Sequence, residues 1–461
     1  MTTDVAARAG TRPSVRTDTR LAWTLVTGSD RRERWRLALT AFGAALATGF
    51  CLGAAALAAL TGHQVSAPYG NGLLDEPGTR QGVVVALLLL LVPVAGLLGQ
   101  CARVGAVHRD RRLAALRLAG AGPRQVRRIA ALESGLACLA GSVLALIAFG
   151  AMLATTGYPV PLAWAGFVAL ALAVPAAGAG VSVFALRHVV ASPLGQVRRV
   201  TADHGPGFLV GLIVPVLLVV AGSALLALRG TRDIAAAPLL VCAVVVVTGA
   251  GSVWVAGASS RLIGARLAGR ATRPAVLIAA HRLRQDAWAA ARTHAALLLA
   301  TVVGVAFVGV REVLLDTLHR SQREGHLGMD ISYYTFGIDL VGGAVLVALA
   351  ISLFSLAVGT AESVATRRRT LAAQAASGVP YGVLARTLLL ETALPLAPAV
   401  ILATLGGTAV HLAYASAVGA AAPVVMPLLV PPAVYAACLA ATATSLPLLR
   451  RSVHPSELRA G

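Results

Sequence analysis

The chain has 461 residues, 57% of them apolar and 13% charged, with a mean hydropathy of +0.79. Soluble domains run at about 45–50% apolar and about 25% charged, so this composition excludes an ordinary soluble protein and describes an integral membrane protein. The net charge of +20 then reads as arginine gathered in cytoplasmic loops by the positive-inside rule. It does not read as a nucleic-acid footprint, because no basic run is interleaved with the aromatic platform on which single strands stack.

Every one of the 39 basic residues is arginine. A phosphate-binding Walker A loop needs a lysine, so the chain holds no ordinary P-loop ATPase, and Schiff-base chemistry through lysine is excluded as well. Cys51, Cys101, Cys138, Cys242 and Cys438 fall in or beside apolar segments and form no CxxC pair. They read as small core hydrophobes rather than a disulfide or metal framework. We expect no catalytic residue, no metal and no cofactor in this chain.

Taken in order, residues 1–20 are polar, arginine-rich and predicted to be disordered. They lack the apolar core and cleavage site of a signal peptide. Residues 21–36 combine Trp23 and Trp35 with Arg31, Arg32, Arg34 and Arg36, the pattern of a segment lying at the headgroups. A spanning helix needs roughly 20 apolar residues. Such runs occur at 37–61, 82–105, 130–154, 162–186, 207–228, 235–256, 292–311, 336–361, 386–411 and 426–448. The arginines collect in the N-terminus and in 106–128, 187–203, 257–291, 363–385 and 449–461, which predicts that both termini face the cytoplasm. The alternate segments 62–81, 155–161, 229–234, 312–335 and 412–425 are then short outer loops, too small for a folded domain. The fold class expected is an all-α polytopic protein with ten transmembrane helices.

Two stretches repeat at a shift of 258 residues. Arg109 falls on Arg367, Arg111 on Arg369, Leu113 on Leu371, Gly120 on Gly378, Arg128 on Arg386 and Glu133 on Glu391. A looser echo links Ser192-Pro193-Leu194 with His454-Pro455-Ser456, and Trp35 answers Trp288. The expected organisation is a basic tail at 1–20, a four-helix unit at 21–203, two linker helices at 204–260 and a second four-helix unit at 261–461. An even number of intervening spans makes the repeats parallel, related by an axis along the membrane normal.

The duplicated pattern resembles the FtsX-like permease family of ABC transporters. Arg109, Gly120 and Glu133 match its second-to-third span junction in the first copy, and Arg367, Gly378 and Glu391 do so in the second. The family's usual acidic residue before the helix is replaced by Arg112 and Thr370. Two FtsX-like units separated by two helices resemble the bacitracin-resistance type, without its large outer domain. The resemblance implies that the short helices carrying Arg109, Arg111, Arg112, Leu113, Leu116 and Gly120, and Arg367, Arg368, Arg369, Leu371 and Gly378, dock on a separate ATPase. Two ATPase copies per chain are implied, with ATP and Mg bound by that partner. From the residues alone, binding of anionic lipid headgroups explains the basic runs equally well.

Glu133 and Glu391 are read as carboxylates near the starts of cytoplasm-facing spans, favoured by the helix dipole or paired with Arg128 and Arg386. Proton relay is the alternative. Arg103 and Glu362 lie at the inner ends of the second and eighth spans, where they either pair between the halves or snorkel separately. Asp339, His411 and the charged stretch 312–335 are the candidates for outer contacts. The expected function is that of the permease subunit of an ATP-driven ABC system in the cell membrane, exporting an amphiphile such as a peptide antibiotic, drug or lipid. The alternatives are mechanical signalling to a cell-wall hydrolase or sensor kinase, and ion-coupled secondary transport.

Overall fold

The computed structural model describes residues 31–60, 77–101, 115, 118, 121–156, 161–185, 237–328 and 330–452. Every regular element among them is helical: α1 (Arg31–Ala59), α2 (Pro77–Leu89), α3 (Leu91–Cys101), α4 (Pro123–Thr156), α5 (Pro161–Ala185), α6 (Ala237–Ala268), α7 (Pro274–Gln285), α8 (Ala287–Arg323), α9 (Ile331–Thr366), α10 (Arg368–Ala376), α11 (Tyr381–Val418), α12 (Val425–Ala443) and α13 (Leu446–Ser452).

Seven stretches among the described residues are long and apolar enough to cross a membrane: Glu33–Ala59, Arg80–Cys101, Arg124–Ala154, Thr293–Arg323, Ile331–Thr366, Tyr381–Val418 and Val425–Ser452. They coincide with seven of the ten runs read from sequence. The run at 162–186 is α5, apolar over the shorter stretch Trp164–Gly180. The run at 235–256 falls in α6, and the run at 207–228 lies outside the described residues. Leu144, Ile147, Leu346, Ile401 and Leu405 are all more than half exposed, as suits side chains facing hydrocarbon rather than water.

The helices outrun the predicted spans. The stretch 312–335, read as an outer loop, is mostly helix: α8 continues to Arg323 and α9 starts at Ile331. At 37 residues α8 measures about 55 Å by the helical rise, well beyond the ~30 Å hydrocarbon core. Its polar extension is held by an i,i+4 ion pair of Asp316 with Arg320. Asp330 caps α9 by accepting the Ser332 N–H at 3.0 Å. Likewise α6 runs twelve residues past the predicted boundary at 256, to Ala268. There the Ser259 and Ser260 hydroxyls donate to the Ala256 carbonyl within the helix, so these polar residues need no loop to satisfy them.

The chain divides into two compact units, residues 1–61 with 101–201 and residues 62–100 with 202–461. In the first, α1, α4 and α5 pack on one another. Gly141 of α4 lets its backbone touch α1, since a Cβ there would lie 1.9 Å from the Ala41 carbonyl oxygen. Thr48 and Ser142 share a hydrogen bond of 2.8 Å across the same contact, the small-and-polar packing typical of membrane helices. Leu52, Leu153 and Phe167 fill one end, with Phe149 edge-on to Phe167.

The second unit is built on α6, α8 and α11. Gly406 and Gly407 of α11 admit Thr248 of α6 and Val302 and Val305 of α8. Leu297, Leu298, Leu356, Leu396, Val434 and Cys438 form the core with α9 and α12. Pro395 and Pro398 lie inside α11, and Pro431 and Pro432 inside α12, as neighbouring helices permit in membrane proteins. α3 lies against α9, where a Cβ on Gly359 would sit 2.9 Å from the Gln100 side-chain oxygen. His411, read as a candidate outer contact, is fully buried. Its Nε2 donates to the Pro423 carbonyl at 3.0 Å, and Gly309 makes room for its ring.

Candidate functional site

The second basic stretch forms a helical corner. α9 ends at Thr366, Arg367 turns the chain with φ −97° and ψ 7°, and α10 follows as a nine-residue helix. Leu371 and Ala372 are buried in it. Leu371 packs with Val364, Leu384, Leu388 and Leu449, so α10 is clamped between the ends of α9, α11 and α13. Arg369, Thr370, Ala373 and Ala376 are exposed, which leaves an open face of about two turns at helical spacing.

Gly378 has a physical role that its alignment with Gly120 only hinted at. Its φ of +92° belongs to glycine. The Gly378 N–H bonds the Ala375 carbonyl at 2.9 Å and the Val379 N–H bonds Gln374 at 3.1 Å, the paired bonds that close a helix in the Schellman motif. No atom would obstruct a Cβ there, so a substitution acts through the backbone alone. Gly378→Ala is expected to cost about 1–2 kcal/mol. Thermal unfolding would show it, and an unchanged midpoint would show that α10 ends in another way.

Arg367 sits at the centre of the corner. Its Nε donates to the Ser363 carbonyl at 3.1 Å, its Nη2 to the Ser363 hydroxyl, and its Nη1 to Glu391 Oε2 at 3.1 Å. The other Glu391 oxygen, Oε1, lies 3.0 Å from Arg282 Nη1 of α7. One carboxylate, 14% exposed, thus holds guanidiniums from two other elements. Burial pulls the Arg282 guanidinium below its ordinary pKa, and the Glu391 charge opposes that shift; arginine stays charged across the physiological range regardless. One turn before Glu391, the Thr387 hydroxyl is shared between the carbonyls of Val383 at 2.9 Å and Ala275 at 3.3 Å.

In the first unit Glu133 is 2% exposed, and Arg36 of α1 donates to it and to Glu33. Glu133 and Glu391 are each the eleventh residue of their helices, counted from Pro123 and Tyr381. That corrects the dipole reading, because the dipole acts within the first turn and both carboxylates lie two turns further on. Arg36 is a partner the structure gives Glu133, and Arg282 and Arg367 are partners it gives Glu391. Arg109, Arg111, Arg112, Leu113, Leu116 and Gly120 lie outside the described residues, as does Arg103, so the geometry of that docking stretch and of the Arg103–Glu362 pair is not described. Among the described residues no His, Cys, Asp and Glu cluster is placed to hold a metal ion.

Residues 83–194 match the family model of the FtsX-like permease C-terminal domain. The match supports an FtsX-like ABC permease family for this chain, as the duplicated Arg, Gly and Glu pattern implied. It covers the first basic stretch, all of α4 and α5, and most of α2–α3. FtsX-like permeases are membrane subunits that work with an ATPase partner. No curated protein and no solved structure matches the chain. Arg36 and Arg282 escaped the sequence reading because each looked like one more arginine in a basic segment. The available signal was the buried stripe of α7, Ala275, Ala279 and Leu283, which places Arg282 beside the packed face.

Proposed function

We propose that this chain is the membrane-spanning subunit of an ABC transport system in the cell membrane, exporting an amphiphile such as a peptide antibiotic, drug or lipid. In this reading it has ten spans, both termini inside, and two parallel four-helix units. Each unit offers one basic helix to a separate ATPase, giving two ATPase copies per chain. ATP closes the ATPase dimer, the stretch Arg109–Gly120 and α10 are drawn together, and the outer halves of the spans rearrange. The short connection 324–330 between α8 and α9 favours a substrate taken from the bilayer over one captured by an outer domain.

The observation that carries this reading is the family match over 83–194, which contains the whole of the first basic stretch. The open face of α10 beside a buried leucine is the shape such a docking helix needs. The test is to purify the chain in mild detergent from its native membrane and weigh the complex. An ATP-binding subunit at two copies per chain is the expected result, and an intact chain that carries no such subunit overturns the proposal.

A further inference from the structure

We propose that Glu391 is a mechanical joint that makes the short helix α7 and the docking helix α10 move as one body. That α10 is a docking helix rests on the function proposed above; the joint itself does not. Glu391 is rooted in the third turn of α11, a helix packed along most of its length in the core of its unit. Its two oxygens are divided between two elements, Oε1 facing Arg282 of α7 and Oε2 facing Arg367 at the α9–α10 corner. Arg367 is itself fixed to Ser363 by Nε and Nη2, so its side chain cannot swing away when α10 shifts. Thr387, one turn earlier, ties the first turn of α7 to the same face of α11 through the Ala275 carbonyl. A displacement at the start of α10 is therefore passed through the Arg367–Glu391 hydrogen bond to the Glu391–Arg282 ion pair.

The first unit supplies an independent instance. Glu133 occupies the same place in its helix and receives Arg36, which lies in the second turn of α1. The shift that superposes the two glutamates puts His294 opposite Arg36 and Thr24 opposite Arg282. Arg36 and Arg282 therefore do not occupy matching positions, whereas Arg367 falls on Arg109. Each unit brings a guanidinium from its own leading segment to an equivalent carboxylate by a different route.

The test is amide hydrogen exchange, read by mass spectrometry on the full chain in lipid nanodiscs, for Arg282→Gln, Arg367→Gln and the unaltered protein. Arg282→Gln is expected to speed exchange several-fold in α10, and Arg367→Gln to do the same in α7, with α12 unchanged. An effect confined to the mutated element, or spread equally over α12, overturns the joint. If Arg282→Gln does not fold, Arg282→Lys keeps the charge but loses the planar fork; a smaller rise in α10 is expected, and none there overturns the joint. No ATPase is present in this experiment, so a failure of the docking reading and a failure of the joint are told apart.

Discussion

Arg36→Met is expected to be the most damaging single change in the first unit. Arg36 is 3% exposed and Glu133 2%, so the substitution strips a guanidinium from a carboxylate deep in the packing of α1 against α4. Breaking one side of a buried ion pair costs about 3–5 kcal/mol, whereas replacing both partners by apolar residues of similar volume is often neutral or stabilising. The double variant Arg36→Met/Glu133→Leu should therefore recover most of the loss. Thermal unfolding of the detergent-solubilised chain checks both. If the double variant is as unstable as the single one, the pair does not hold α1 to α4 by its charge. Glu33, 14% exposed in the same cluster, is near enough to the surface that Glu33→Gln should cost much less.

Gly141→Val is the second change with a large expected effect, and its mechanism is steric. A Cβ at 141 would lie 1.9 Å from the Ala41 carbonyl oxygen and 3.0 Å from the Ala45 nitrogen. These are backbone atoms in the middle of a helix, so they have no rotamer to yield. α1 and α4 must separate, and the Thr48–Ser142 hydrogen bond breaks with them. Overpacking of this kind costs about 1–3 kcal/mol or more. Gly49 of α1 provides the control, because a Cβ there meets nothing within 4 Å. Gly49→Ala should be neutral or gain up to about 1 kcal/mol through helix propensity. Equal losses at the two positions would mean that the α1–α4 contact is looser than described.

Much of the candidate site was legible before any coordinates. The 258-residue shift singled out Arg367, Leu371, Gly378 and Glu391, because matched residue types at fixed offsets survive in a sequence whatever the fold does with them. The structure gives three of these a local physical role: the corner, the buried contact and the Schellman glycine. Glu391 was misjudged in kind. Its distance from the helix start depends on where the helix begins, and the α11 boundary at Pro380 is set by the turn after Gly378. Arg36 was invisible as a partner of Glu133 because the two are 97 residues apart and nothing periodic connects them. The charged stretch 312–335 was misread because its i,i+4 pairs support a helix beyond the membrane as readily as its polarity suggests a loop.

What the sequence by itself determined is the solvent: a chain this apolar, with its arginines between the apolar runs, belongs in a bilayer, and hydrogen bonding in hydrocarbon leaves such runs no option but helix. It also carried the Arg, Gly and Glu pattern by which the chain resembles the FtsX-like permeases. Only the tertiary structure decided which arginine meets which glutamate, where glycine lets two backbones touch, and how far the helices continue past the hydrocarbon. The reason is physical. Hydropathy and propensity are sums over neighbouring residues and can be read along the chain, whereas a buried charge is satisfied by whatever group packing brings within about 3 Å, and that is fixed by helices distant in sequence.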